Sequence, residues 1–492
     1  MRLDLAPLAE AFGEGRTSDA HRLFGEAYER HRADPDVLID LAGIAEQAGL
    51  GDLAIRTALA ACRLDDRADR HRQLGDLCRA LGRLVEAGDA YRRALARGGE
   101  APALAAIATG THEVGGLGAV AYALSPGMVR LTPTGAEKRA LVSFHRAPLL
   151  LGEDHPALGY HSAYLDAREV ARLLMQRGYA LDVVDTGDDV ARPEGTFDLV
   201  FGVHDDLLRC RDNARPGARR IQWMTGRHPA VQNAAEQARI AALIARRGGA
   251  YAPKRRIERV ETELDAIRLA DSGILIGNRA TLATYPEEWQ GKIRLIPVCA
   301  GRIRAPKPRE RLVPAEREFL WLNSFGAVLK GLDLALEAVL ADERLILNIV
   351  GHVDQEEDFL GIYREALSGH PRIRRHGYLP TDARTFQAVA ERCAAFLLPS
   401  ASEGMSASAA TCLQLGLYPV LSRESGIDLP AGSGRYLETC SIEEIGRAMA
   451  DVLAMDVGSL ATQIAVCQRQ ALALYSRAST TRRLDGILAE LL

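Results

Sequence analysis

The stretch Phe396–Asp428, FLLPSASEGMSASAATCLQLGLYPVLSRESGID, constrains the fold more than any other part of the chain. It opens with a short apolar run, Phe396-Leu397-Leu398-Pro399, which reads as a parallel strand buried on both faces. A loop of small residues, Ser400–Ser406, follows. Ala407–Leu415 then reads as a helix stopped by Gly416, and Tyr418–Ser422 as the next strand. A strand, a Gly/Ser loop and a helix in this order bring unpaired backbone N–H groups and the positive end of a helix dipole to one place. That is a ready anion site.

A chain of 492 residues is too long for one core and implies two or three domains. Its 47% hydrophobic and 26% charged residues are those of an ordinary globular protein. A net charge of −4 gives no reason to expect nucleic acid as a partner. The 8 cysteines lie far apart with no Cys-x-x-Cys, so neither a zinc site nor a disulfide framework is expected. No uninterrupted apolar run is long enough to span a bilayer, and MRLDLAPLAEAFGEG lacks the plan of a signal peptide. A cytoplasmic location is the expectation.

Residues 1–100 carry a repeat. Ala20, Ala54 and Ala87 are separated by 34 and 33 residues, and Phe24, Ala58 and Tyr91 keep the same spacing. So do Ala27, Ala61 and Ala94, and upstream Leu8, Ala42 and Gly75. Small residues at fixed points let two helices approach closely, and a larger one beside them fills the groove. The pattern resembles tetratricopeptide repeats, helix pairs with a period of about 34 residues. The resemblance implies a concave surface for a polypeptide acceptor or partner; the plainer alternative is a cap that stabilises the rest. Residues 101–137 turn toward Gly, Ala and Thr and read as a connector, with Gly115-Gly116-Leu117-Gly118 a packing turn because no strand precedes it.

From Lys138 onward strands alternate with helices, which argues for parallel sheets. Lys138–Phe144, Tyr179–Asp185, Phe197–His204 and Arg220–Met224 read as strands, with Ala270–Asn278 the last of a first α/β domain spanning 138–300. Residues 301–315 are Pro-rich and charged and read as a linker. A second α/β domain is expected over 316–475, beginning at the strand Arg317–Asn323, with a final helix over 476–492 crossing back. The basic run Arg246-Arg247…Lys254-Arg255-Arg256…Arg259 reads as a solvated helix face; contact with an anionic membrane surface or an acidic acceptor is the alternative.

Ser400–Thr411, together with the strand–loop segment Ser324–Gly331, resembles the donor site of retaining nucleotide-sugar glycosyltransferases of the GT-B fold, the group called family 4. That family's Glu-x7-Glu signature begins here at Glu403, but its second position holds Thr411. The Arg often found shortly before the family's Lys is absent; Phe325-Gly326 stand there before Lys330. The resemblance covers about residues 138–492 and implies an α/β fold of two Rossmann-like domains preceded by an all-α repeat domain. It also implies transfer of a sugar from a nucleotide-diphosphate donor with retention of configuration and without a metal or other cofactor.

On the residues, it implies that Lys330 and Gly326 meet the donor diphosphate and that Glu403 grips sugar hydroxyls. Gly404, Met405 and Ser406 would hold sugar and phosphate through their backbone, with Thr411 at the ribose position. His228, after the fourth strand, would face the transferred sugar, with Arg227, Gly159 and His161 on the acceptor side. Loss of the second Glu and of the Arg raises one rival, a degenerate scaffold whose repeats bind a partner protein; a second, epimerisation or phosphorolysis of a sugar on the same fold, lacks the carboxylate or cofactor signatures it would need.

Overall fold

The computed structural model describes all residues except 1–4, 14–16, 82, 99–108, 114–118, 126, 152–157, 159–161, 189–190, 192 and 304–316. Gly159, His161, the Gly115–Gly118 turn and most of the linker therefore lie outside the described residues. The chain divides into two compact units, 1–153 with 174–195, and 154–173 with 196–492.

The first unit begins with six helices, α1 (Ala6–Gly13), α2 (Thr17–His31), α3 (Pro35–Gln47), α4 (Gly51–Leu64), α5 (Ala68–Ala80) and α6 (Leu84–Ala96). Most of the repeat positions are buried: Ala20, Ala54, Ala87, Ala61, Ala94 and Tyr91 fully, and Ala27 only partly. Tyr91 fills the space left by the missing side chain of Gly75, where an added Cβ would lie 2.5 Å from the ring. Helix α3 starts as its sequence dictates. Pro35 takes the first turn, and Asp34 accepts from the N–H groups of Asp36 (3.0 Å) and Val37 (3.3 Å).

The segment read as a connector instead contains β1 (Thr109–Glu113), β2 (Ala119–Ser125) and β3 (Met128–Thr132), paired antiparallel. β3 runs antiparallel to β5 (Tyr179–Asp185), which is parallel to β4 (Lys138–Phe144). The Gly and Ala content of this segment hid the strands, because pairing with one another and, through β3, with β5 supplies what local propensity lacks. Arg146 joins this sheet to the helices by ion pairs to Asp185 (2.5 Å) and Asp89 on α6.

In the second unit β6 (Phe197–Val203), β7 (Ala214–Met224), β8 (Ser272–Ile276) and β9 (Ile293–Ile296) pair in parallel. A second sheet of six parallel strands follows: β10 (Glu318–Asn323), β11 (Leu347–Gly351), β12 (Ile373–Arg375), β13 (Cys393–Leu398), β14 (Tyr418–Ser422) and β15 (Arg435–Leu437). Every residue of β13 and β14 is buried, as their unbroken apolar runs require. Phe319, Trp321, Leu347, Ile349 and Leu397 build the core against helix α7 (Leu332–Ala341). Each such side chain contributes about 1.5–3 kcal/mol on burial. The last helix, Arg477–Leu491, returns to β9, where Arg294 pairs with Glu490 at 2.6 Å. Among the described residues no single helix is long and apolar enough to cross a membrane.

Candidate functional site

The order of the second sheet is β12-β11-β10-β13-β14-β15. The chain winds outward from β10 in one direction, then returns beside it at β13 and winds outward in the other. Between β10 and β13 the two connections leave in opposite directions and open a crevice at the carboxyl ends of the strands, the usual ligand position in such sheets. The loops bordering it are Ser324–Gly331 and Pro399–Ser406, the two segments singled out in the sequence.

These loops are packed backbone to backbone. Gly331 has φ +73°, and a Cβ there would lie 2.4 Å from the Pro399 carbonyl oxygen. Ala401 N–H donates to the Leu329 carbonyl at 2.8 Å. The crossing brings the Lys330 ammonium onto the Glu403 carboxylate, an ion pair between residues 73 positions apart. The two side chains are only 10% and 13% exposed, and Ser400 donates a further hydrogen bond to the same carboxylate oxygen at 3.3 Å. Burial pushes the Lys330 pKa down and the Glu403 charge pushes it back up. Removing one member of so enclosed a pair would strand the other charge.

Helix α8 (Ala407–Gln414) starts at this crevice, with Ser406 as its cap accepting from Ala409 N–H at 3.3 Å. The Ser406 N–H is taken by the Ser425 carbonyl at 2.9 Å, whereas the N–H groups of Ala407 and Ser408 meet no acceptor among the described residues. Gly404 is wedged where an added Cβ would lie 2.5 Å from the Thr225 carbonyl oxygen and 2.6 Å from that of Ile276. Its own carbonyl accepts from the Thr281 hydroxyl at 2.7 Å. The Met405 sulfur accepts from Val298 N–H at 3.3 Å. Gly404 and Met405 thus seat the loop against the carboxyl ends of β7 and β8 and the segment beyond β9.

Two expected donor contacts are otherwise engaged. Gly326 N–H donates to the buried Glu356 carboxylate at 2.6 Å, and Ala327 N–H to the same group at 3.1 Å. The backbone of that loop is therefore held by protein rather than left open to phosphate. The Thr411 hydroxyl donates to the Ala407 carbonyl (2.7 Å) and accepts from Gly301 N–H (2.8 Å). A hydroxyl has a single proton to give, so Thr411 clamps the segment entering the linker and has no donor left for a ribose.

Arg227 and His228 follow β7. His228 begins helix α9 (Pro229–Arg247), donates its N–H to the Thr284 hydroxyl at 3.0 Å and packs edge-on to Tyr285. Burial lowers its pKa, which favours the neutral ring. Burial likewise lowers the Arg227 pKa, opposed by the charges of Glu424 and Glu403. Its buried Nε has no hydrogen-bond partner among the described residues. Lys330, Glu403 and Arg227 are thus brought into one electrostatic neighbourhood.

Sequence reasoning missed three features. Glu356 sits in the connection after β11 and carries no motif. Phe325, His352 and Tyr378, from the ends of β10, β11 and β12, form one ring stack with centroid spacings of 5.1 and 4.5 Å; the ring content of each loop was visible, but not their meeting. The basic run is solvated but only partly helical: Arg246 and Arg247 end a helix, Lys254–Arg259 lie in the loop beyond it, and several of the charges are paired. Arg246 pairs with Asp333 (2.5 Å), Lys254 with Asp358 (2.7 Å), Arg259 with Asp205 (3.0 Å) and Arg247 with Glu337. Their acidic partners lie on other elements, so no local pattern announced them. Among the described residues no group of three or more His, Cys, Asp or Glu is placed to hold a metal ion.

No protein-family model matches the chain, and no curated protein matches it. Among solved structures, sucrose-phosphate synthase from Thermosynechococcus elongatus is similar over 72% of this chain and 98% of its own, at 14% identity and a TM-score of 0.52. HepE of Anabaena in complex with UDP and glucose aligns over 72% of this chain and 100% of its own, at 13% identity and a TM-score of 0.47. A mutant O-GlcNAc transferase from Thermobaculum terrenum aligns over 100% of this chain and 98% of its own, at 15% identity and a TM-score of 0.40. The fold shared with the first is the GT-B arrangement of two Rossmann-like domains, here preceded by an all-α region.

Proposed function

We propose that the chain is a glycosyltransferase that takes a sugar from a nucleotide-diphosphate donor bound at the β10/β13 crevice. The observation that carries this reading is the Lys330–Glu403 pair standing beside two unpaired helix N–H groups at the switch point of the sheet. An ammonium and an N-terminal helix dipole suit a diphosphate, whose charge grows as the sugar leaves. Glu403 can turn to sugar hydroxyls once the diphosphate takes its place on Lys330. The ring stack of Phe325, His352 and Tyr378 offers a flat surface for a base. His228, kept neutral by burial, can accept a hydrogen bond from the sugar as well as donate one.

In this reading transfer proceeds with retention of configuration and needs no metal, because Lys330 and the helix end supply the positive charge. The donor-side domain is 316–475, the acceptor side 138–300, and the helices of residues 1–100 bind a polypeptide acceptor or partner.

A thermal-shift panel of UDP, GDP, ADP, CMP and their sugar conjugates tests the proposal on the native chain and on Lys330→Ala. One nucleotide should stabilise the native protein selectively. Lys330→Ala should abolish that shift and reduce donor turnover about 100-fold or more, while the circular dichroism stays native. Unchanged turnover in Lys330→Ala would sink the role given to this lysine. No shift with any nucleotide would favour the scaffold, with Thr411 at the second signature position as its reason.

A further inference from the structure

Even after Glu403 turns away from it, Lys330 brings one positive charge and a diphosphate brings at least two negative ones, so the lysine alone does not balance the ligand. A ligand bringing several negative charges into so enclosed a place calls for another cation with unspent donors. We infer that Arg255, carried by the loop between α9 and the helix Val260–Leu269, supplies it, and that its guanidinium contacts the donor diphosphate. This assignment rests on the nucleotide-sugar reading above and adds a residue that no motif marks.

Three observations converge on Arg255. First, its aliphatic stem crosses Gly326. A Cβ on that glycine would lie 2.7 Å from Arg255 Cγ and 3.4 Å from Cδ, so the close passage exists because position 326 has no side chain, at φ +90°. Second, it stands close enough to Lys330 for its charge to push the lysine pKa down. The carboxylates of Glu403 and Glu236 already offset part of this positive charge, and an arriving diphosphate relieves the repulsion that Arg255 adds.

Third, the backbone of Arg255 is pinned while its guanidinium is unspent. The N–H groups of Lys254 and Arg255 both donate to the buried Glu236 carboxylate at 2.9 Å, and the Arg255 carbonyl accepts from Gln232 at 2.8 Å. Its neighbours in the basic run, Arg246, Arg247, Lys254 and Arg259, are all committed to carboxylates. Arg255 has no ion pair or side-chain hydrogen bond among the described residues. Its five N–H donors match the fork of phosphate oxygens. The empty place before Lys330 is thus filled from another loop: Phe325-Gly326 carry no cation, and the missing side chain of Gly326 is what admits one.

The test is titration calorimetry on the full chain with whichever of UDP, GDP or ADP shifts the native protein, and with the corresponding nucleoside monophosphate. Arg255→Ala should weaken the diphosphate about 10- to 100-fold, with a much smaller effect on the monophosphate, and Arg255→Lys should recover part of the loss. Arg256→Ala, next to it in the chain and exposed as Arg255 is, should change neither by more than about twofold. Unchanged diphosphate affinity in Arg255→Ala, with Lys330→Ala still losing it, overturns this assignment and leaves the nucleotide-sugar reading standing. Equal loss for mono- and diphosphate also overturns it, since that outcome marks a general collapse of the loop. A native chain that binds none of the three nucleotides overturns both.

Discussion

The helices of residues 6–96 and the six-stranded sheet of residues 318–437 bury their interiors by opposite means. In the helices the buried positions are mainly alanines and other apolar side chains spaced by the repeat, with Thr57, Arg70 and His71 the polar exceptions, and the contacts are made between helices next to one another in the chain. The sheet encloses charge: Glu318, Lys330, Asp333 and Glu356 are all less than a tenth exposed, and their partners come from distant parts of the chain. Such enclosure costs stability unless each charge is matched, so the α/β region carries strain and polarity that a purely structural core would discard. Among the described residues of the helices only Arg70 and His71 are comparably enclosed, so enclosed charge is concentrated in the α/β region.

The comparison breaks most sharply at the glycines. Gly426 has φ +71°, and a Cβ there would lie 2.0 Å from the Gly404 carbonyl oxygen, backbone against backbone. Gly426→Ala should cost about 4 kcal/mol or more in denaturant melts and also remove nucleotide binding, since the Glu403 loop must move. Retained binding with native stability would show that these loops are not rigid.

Buried charge should give the α/β region a pH signature. Burial raises the Asp333 pKa from 3.8 to about 6, against the opposing charges of Arg239 and Arg246. A folded pKa above the unfolded one means that this group's contribution is fully present below 3.8 and is lost as pH rises through about 6. Stability should fall by about 3 kcal/mol across that window, and Asp333→Asn should flatten the slope; an identical slope in the variant would refute the assignment.

The smallest effect is expected in the helices. Gly75→Ala meets the side of the Tyr91 ring, which can shift where a backbone cannot. It should cost about 1–2 kcal/mol, read by proteolysis of the N-terminal helices, and leave nucleotide binding untouched. A loss of binding equal to that of Gly426→Ala would erase the distinction between the regions.

Strand and helix order were legible wherever a segment's environment repeats along it. The unbroken apolar runs of β13 and β14, the Ser406 cap and the alanine period each follow from residues a few positions apart. β1–β3 were not legible, because pairing with one another and, through β3, with β5 makes them strands rather than their own composition. The same limit applies at the site. Lys330 and Glu403 could be nominated from their loops, but Glu356 on the Gly326 backbone, the hydroxyl clamp at Thr411 and the crossing of Arg255 could not.

The amino-acid sequence by itself determined the alternation of strands and helices, the helical repeat and the two loops that border the crevice, since local spacing and backbone preference specify these. Only the tertiary structure decided which carboxylate neutralises which cation and which arginine stays unspent. Those choices depend on the order in which strands enter the sheet, and strand order brings together side chains that nothing in their own neighbourhoods relates.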